Sequence, residues 1–198
     1  MNKKSQILIG IIVVAIIVFG IWYLAPKENG EWRMENGESS DKNGESVVEN
    51  PELIPVETEQ FTKTYNSPNY HFSFRYPEGY TASAFGDFLP DGTEASTIVV
   101  QDASNLQGFQ IRISPFDEDI DMTEERIRKD IPDLEIREAQ VVELGTERTG
   151  LAFLSDNEAY GGASREVWFV FRGNFYQIST YASLDALLQQ VLQTWQFE

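Results

Sequence analysis

Ser164–Tyr181 reads SREVWFVFRGNFYQISTY. Side chains of a strand alternate between two faces, so Val167, Phe169 and Phe171 share one face and Trp168 and Val170 the other. Both sets are apolar. A strand that is apolar on both faces belongs in the middle of a sheet with a layer on each side. Gly173-Asn174 then predicts a tight hairpin, and Phe175–Tyr181 returns antiparallel to Ser164–Arg172.

Downstream, Leu184, Leu187, Leu188, Val191, Leu192 and Trp195 recur at helical spacing, with Ser183 expected as N-cap and Asp185 in the first turn. This helix should lay its apolar stripe on the sheet. Upstream, Tyr70–Tyr76 (YHFSFRY) places Phe72, Phe74 and Tyr76 on one strand face and His71, Ser73 and Arg75 on the other. Pro77-Glu78-Gly79 ends that strand in a turn. Further strands are expected at Tyr80–Phe85, Ser96–Gln101, Gly108–Ser114, Ala139–Leu144 and Thr149–Ser155, with Gly86 to Gly92 a loop. Asp121 or Thr123 opens a short helix through Asp130, which Pro132 closes. Its acidic residues come first and its basic residues last, an order that suits the helix dipole.

The N-terminal quarter has a different character. Ile7–Leu24 (ILIGIIVVAIIVFGIWYL) carries no charge and would reach roughly 27 Å as a helix, near the thickness of a bilayer's hydrocarbon core. Lys3 and Lys4 precede it and Glu28, Glu31 and Glu35 follow it, which predicts a cytoplasmic N-terminus and an extracytoplasmic remainder. Trp22-Tyr23-Leu24-Ala25-Pro26 lacks a small-x-small cleavage site, so the run is expected to stay as a transmembrane anchor. Residues 25–60 are expected to form an acidic, disordered linker. Asn-Gly-Glu units recur in it every seven residues, at Asn29, Asn36 and Asn43, but no apolar residue repeats with them. A spacer therefore fits better than a coiled coil. The expected organisation is a cytoplasmic tail at 1–6, a transmembrane helix at 7–24, the linker at 25–60 and one extracytoplasmic domain at 61–198.

Composition removes several function classes. Thirty-two acidic residues against 15 basic ones give a net charge of −17, which repels nucleic acid and anionic lipid heads. The chain has no cysteine, so disulfides, thiolate metal sites and thiol nucleophiles are absent. The short basic flank and the lack of a usable glycosylation sequon point to a bacterial envelope protein.

Tyr70-His71-Phe72-Ser73-Phe74-Arg75-Tyr76-Pro77-Glu78-Gly79-Tyr80 resembles the opening motif of PsbP-like domains: an aromatic strand, Tyr-Pro, then another aromatic. The closing hairpin Glu166–Tyr181 and a terminal helix finishing in Trp195-Gln196-Phe197 resemble that family's closing elements. The resemblance runs from Tyr65 to Phe197. It implies an α+β fold, an α/β/α sandwich around an antiparallel sheet, in a family whose members are mostly non-enzymatic. Some are photosystem II extrinsic subunits, and a related group binds a small GTPase. No residue set here matches a photosystem- or GTPase-binding surface, so neither activity is carried over.

Candidate chemistry is sparse. His71 is the only histidine, and no nucleophile motif accompanies it. Asp117, Asp119 and Asp121 have the 1-3-5 spacing of a calcium loop, but Met122 and Arg128 stand where its glycine and bidentate glutamate belong. Asp121-Met122-Thr123-Glu124 reads instead as a capping box. Gly161-Gly162 lacks the lysine and following helix of a phosphate loop. No catalytic, cofactor-binding or metal residues are assigned.

The expected function is that of a membrane-anchored extracytoplasmic binding or accessory module. Its expected contacts are the membrane, through Ile7–Leu24, and an envelope protein, with no nucleic acid. The alternatives are an envelope hydrolase with dispersed carboxylates and a structural spacer. The anchor reading predicts that the protein resists alkaline extraction from membranes and keeps residues 1–25 when its mass is measured. A mature chain beginning near Pro26 would make the domain a secreted one.

Overall fold

The computed structural model describes residues 61–89, 91–146 and 148–198. The expected tail, anchor and linker lie outside the described residues. Among the described residues no helix is long and apolar enough to cross a membrane.

The doubly apolar strand is β8 (Gly162–Phe171), and β9 (Asn174–Tyr181) returns beside it with Val167 opposite Ile178 and Phe169 opposite Tyr176. The turn between them is Arg172-Gly173, one residue earlier than Gly173-Asn174. Both turn residues have positive φ, 46° and 73°. That pair of left-handed conformations matches the twist of a two-residue hairpin, and glycine adopts it at no steric cost. Around this hairpin the strands β3 (Tyr80–Phe88), β4 (Glu94–Asp102), β5 (Gly108–Pro115), β6 (Arg137–Leu144) and β7 (Arg148–Asn157) complete a seven-stranded sheet. Its order is β3-β4-β5-β9-β8-β7-β6, and all neighbours are antiparallel. β8 is thus interior, as its two apolar faces require. The strands exceed their expected lengths, and Gly86 lies inside β3 rather than in a loop.

One face of this sheet carries the main core. Ile98, Val100, Phe109, Ile111, Val167, Phe169, Tyr176 and Ile178 project from it. They are covered by a second, three-stranded sheet and by helix α2 (Asp185–Gln193). The small sheet has the order β1-β2-β10, from β1 (Lys63–Ser67), β2 (Phe72–Tyr76) and β10 (Gln196–Phe197). β1 and β10 were not foreseen as separate strands. Trp195 joins the layers: its ring stacks on Phe72 at 4.7 Å and on Phe74 at 5.2 Å, and meets Phe169 edge-on at 5.9 Å. The expected α2 cap moves. Ser183 lies in a single 3-10 turn, Ala182–Leu184, and no side chain caps the helix at Leu184. Trp195 falls just beyond the helix, not in it.

The other face is covered unevenly. Helix α1 (Glu124–Asp130) opens on Thr123, whose hydroxyl accepts the Arg126 amide hydrogen bond at 3.1 Å, so Thr123 rather than Asp121 is the cap. Ile127 from α1, with Met122, Ile131 and Ile136 from its flanks, packs on Leu151, Phe153, Trp168, Val170 and Phe175. This seven-residue helix is too short to cover the whole face. Among the described residues the architecture is a mostly antiparallel sheet with few helices, without a second full helical layer.

His71 lies outside the strand in which it was expected. It occupies the turn before β2 with φ 56°, and its carbonyl accepts a hydrogen bond from the Glu198 amide at 2.8 Å. Gly145, in the β6–β7 turn, has φ 58°, and a Cβ there would come within 2.0 Å of the Trp195 carbonyl. The backbone at Trp195 is therefore clamped as closely as its ring. Trp195→Ala should lower stability by about 3–5 kcal/mol, because a buried aromatic leaves a cavity that the two sheets cannot close. Urea unfolding should show this as a lower midpoint with an unchanged slope.

Candidate functional site

The part of the second sheet face that reaches beyond α1 is polar although it is central in the fold. The strand register builds two adjacent cross-strand rows there. In one row Thr97, Arg112, Gln177 and Trp168 lie side by side on β4, β5, β9 and β8. In the other Gln110, Ser179 and Glu166 do the same. All of these side chains are buried. Burying polar groups is costly unless each finds a partner, so their hydrogen bonds determine what the face can do.

Glu166 is fully satisfied. Its Oε1 accepts from the Ser164 hydroxyl at 2.7 Å, and its Oε2 accepts from the Ser179 hydroxyl at 2.5 Å and from the Trp168 indole N–H at 3.3 Å. Burial raises the Glu166 pKa above the usual carboxylate range, against the opposing pull of these three donors. Tyr160 sits above the same row. Its hydroxyl donates to the Ser179 carbonyl at 3.3 Å, and burial pushes its pKa well above the ordinary tyrosine value, with Glu166 adding to the rise.

Arg112 is satisfied on one side only. Nη1 donates to Asp87 Oδ2 at 3.0 Å, and Asp87 Oδ1 accepts from the Phe88 amide at 2.7 Å, so the carboxylate is held in place. The Arg112 side chain is 1 % exposed. Among the described residues, Nε and Nη2 of this buried guanidinium have no hydrogen-bond partner, nor has the Thr97 hydroxyl beside it. Asp87 belongs to β3, an edge strand, where an inward-pointing charge discourages pairing with a foreign strand. That accounts for the ion pair but not for the two idle donors.

Two cavities open onto these rows and share Gln110 as a wall. One, of about 280 Å³, is bounded by Arg112, Gln177, Ser179, Glu166, Trp168 and Leu134, with Ser155 to Glu158 at its rim. The other, of about 430 Å³, is mostly apolar and is bounded by Phe85, Val99, Leu106, Phe109, Ala159, Tyr160 and Tyr181. Asn157 shapes the region between them. Its side chain accepts from the Ala159 amide at 3.1 Å and caps the 3-10 turn Glu158–Tyr160, which puts Ala159 and Tyr160 over the sheet. Gly161-Gly162 follows that turn with positive φ at both residues and leads into β8.

The residues singled out from the sequence lie elsewhere. His71 is exposed in the turn that leads into β2 of the small sheet. Asp119 and Asp121 border a recess of about 210 Å³ together with Arg148. Glu118 instead pairs with Arg126 at 2.6 Å, and Arg126 also pairs with Asp130. Among the described residues no group of three or more His, Asp or Glu converges as metal ligands would. Arg112 and Glu166 were missed. The available signal was a charge in mid-strand: Glu166 shares a face with Trp168 and Val170, and Arg112 faces away from Ile111 and Ile113.

No known protein-family profile matches the chain, and no curated protein matches it. Two solved structures are similar in arrangement. One is the cyanobacterial PsbP, CyanoP, of Synechocystis sp. PCC 6803, at 13 % identity and a TM-score of 0.47 over 69 % of this chain and 92 % of that one. The other is a Bacteroides thetaiotaomicron protein at 16 % identity and a TM-score of 0.44, over 70 % of this chain and 49 % of that one. The chain thus spans about half of the second protein.

Glu166 makes stability depend on pH in a defined direction. Its carboxyl ionises less readily in the folded state than in the unfolded one. At low pH it is protonated in both states and costs nothing. As pH rises past the ordinary glutamate value of 4.5 the unfolded chain releases its proton first, and folding loses stability until the folded carboxyl also ionises. Glu166→Gln removes this loss. As pH rises above the ordinary glutamate value of 4.5, the thermal midpoint of the variant should therefore rise relative to that of the wild type. A constant difference across that range would show that Glu166 does not titrate with a raised pKa.

Proposed function

We propose that this chain is a single-pass, membrane-anchored extracytoplasmic binding module of PsbP-like fold, non-enzymatic, whose docking surface is the uncovered half of the seven-stranded sheet. The single observation that carries this reading is the apolar recess on that half. Phe85 and Leu106 border it and are 55 % and 59 % exposed. Solvent-facing aromatics beside a concave apolar wall are costly to leave uncovered and favour occupancy by a partner. β3, which carries Phe85, is also an edge strand, and Phe88 at its end is 63 % exposed.

The partner that fits is an envelope protein presenting an apolar anchor within a basic rim, since the chain's charge of −17 repels acidic surfaces. The PsbP-like assignment is supported by the places of its motifs. Phe72–Tyr76 is a core strand, and the closing hairpin and terminal helix meet it through Trp195. Membrane attachment and orientation rest on Ile7–Leu24 and its charged flanks. Glu166 favours binding over hydrolysis because all its hydrogen bonds go to neighbouring side chains of the sheet.

A photoreactive side chain at Leu106 should give one discrete adduct with an envelope protein in intact membranes, and Phe85→Asp should abolish it. The same probe at Val141, which is exposed on the opposite edge strand, should give none. Equal labelling at both positions, or none at either, would remove the docking surface.

A further inference from the structure

The two idle donors of Arg112 have a specific geometry. A guanidinium has two edges able to make paired hydrogen bonds, and Nε with Nη2 forms the side-on edge, whose two N–H groups run parallel. Asp87 takes Nη1 and leaves this edge whole. A buried donor without a partner is costly, the more so when it is charged, so two such donors on one guanidinium edge define the shape of the acceptor that would satisfy them. The two oxygens of a carboxylate match that edge better than any other small group does.

We propose that the 280 Å³ cavity is a binding site for a small organic monocarboxylate, its carboxylate seated on the Nε–Nη2 edge of Arg112 and its body lying between Trp168 and Leu134. The cavity supports this in three ways. Its wall is mainly apolar, which suits an organic body rather than a hydrated inorganic ion. Gln177 is the cross-strand neighbour of Arg112 and places a side-chain amide next to the bound oxygens. Glu166 is two strands away and wholly engaged with Ser164, Ser179 and Trp168, so it does not compete for the guanidinium. Asp87 already balances the charge of Arg112, and Asp156 and Glu158 also line the cavity, so the paired hydrogen bonds to the Nε–Nη2 edge must outweigh the added negative charge, which limits the ligand to a single carboxylate.

The inference deepens the binding reading, since the cavity shares a wall and a sheet face with the apolar recess. It fails separately, however: the Leu106 adduct reports on the recess, and a small carboxylate reports on Arg112. Benzoate is the probe, with benzamide as the neutral compound of the same shape, added to the full chain in a non-ionic detergent. Benzoate should raise the thermal midpoint by about 4 °C at ten times its dissociation constant. It should also shift the slowly exchanging Nε–Hε resonance of Arg112. Benzamide should do neither. Arg112→Lys keeps the charge but loses the parallel donors, and should weaken benzoate about tenfold or more. If that variant does not fold, the wild-type resonance decides alone. Equal effects of benzoate and benzamide would overturn the proposal. So would displacement of benzoate by inorganic phosphate at lower concentration, or an Arg112 resonance unmoved by benzoate, which would leave only water on that edge.

Discussion

Trp195 carries the constraint on which the rest of the structure depends. Its ring lies between the small sheet and the large one, stacked on Phe72 and Phe74 and edge-on to Phe169. Its carbonyl lies so close to Gly145 that only a residue without a side chain fits there. One residue thereby ties β2, β8, the end of α2 and the β6–β7 turn. Its indole N–H is buried without a hydrogen-bond partner among the described residues, as is the Tyr176 hydroxyl. The fold accepts the cost of those two polar groups for the contact area of a continuous aromatic layer, and large buried rings dominate such a core.

With one sheet face occupied in this way, function is left to the other. α1 spans seven residues and covers only the end of the face where Trp168, Val170 and Phe175 project. The remainder must protect its own polar rows. Glu166 does so by collecting three donors from adjacent positions, Ser164, Ser179 and Trp168. Arg112 does so through Asp87 on the edge strand, and its second edge is buried without a partner among the described residues. The two charges therefore have opposite character. Glu166 is a closed hydrogen-bonded group, and Arg112 is a donor with one edge unpartnered among the described residues. The 3-10 turn Glu158–Tyr160 divides the space above them into the recess bordered by Phe85 and Leu106 and the cavity beside Arg112.

The placement of Thr123 and Ser183 shows how far local signals reach. Thr123 and Asp121 both suited a helix cap, and α1 took Thr123, whose hydroxyl can meet the Arg126 amide. Ser183 had the composition of a cap and failed to become one, because the chain leaves β9 through a tight 3-10 turn that absorbs it. The hairpin turn moved by one residue for a related reason. The strands choose the register that aligns Phe169 with Tyr176, and the positive-φ pair then falls on Arg172-Gly173.

The sequence by itself determined the central strand, the returning β9, the aromatic face of β2 and the apolar stripe of α2, because alternation and helical spacing are local properties of the chain. It also determined the lack of cysteine chemistry and the strongly acidic surface, which depend only on composition. Only the tertiary structure decided the site. Asp87, Arg112, Gln177 and Glu166 lie on four different strands, and they meet through a register between β5 and β9 that no neighbouring residues encode. Arg112 in particular reads as an ordinary surface charge until the sheet forms. What sets it apart is that its burial leaves one edge of the guanidinium without a partner among the described residues, a property of packing in three dimensions and not of spacing along the chain.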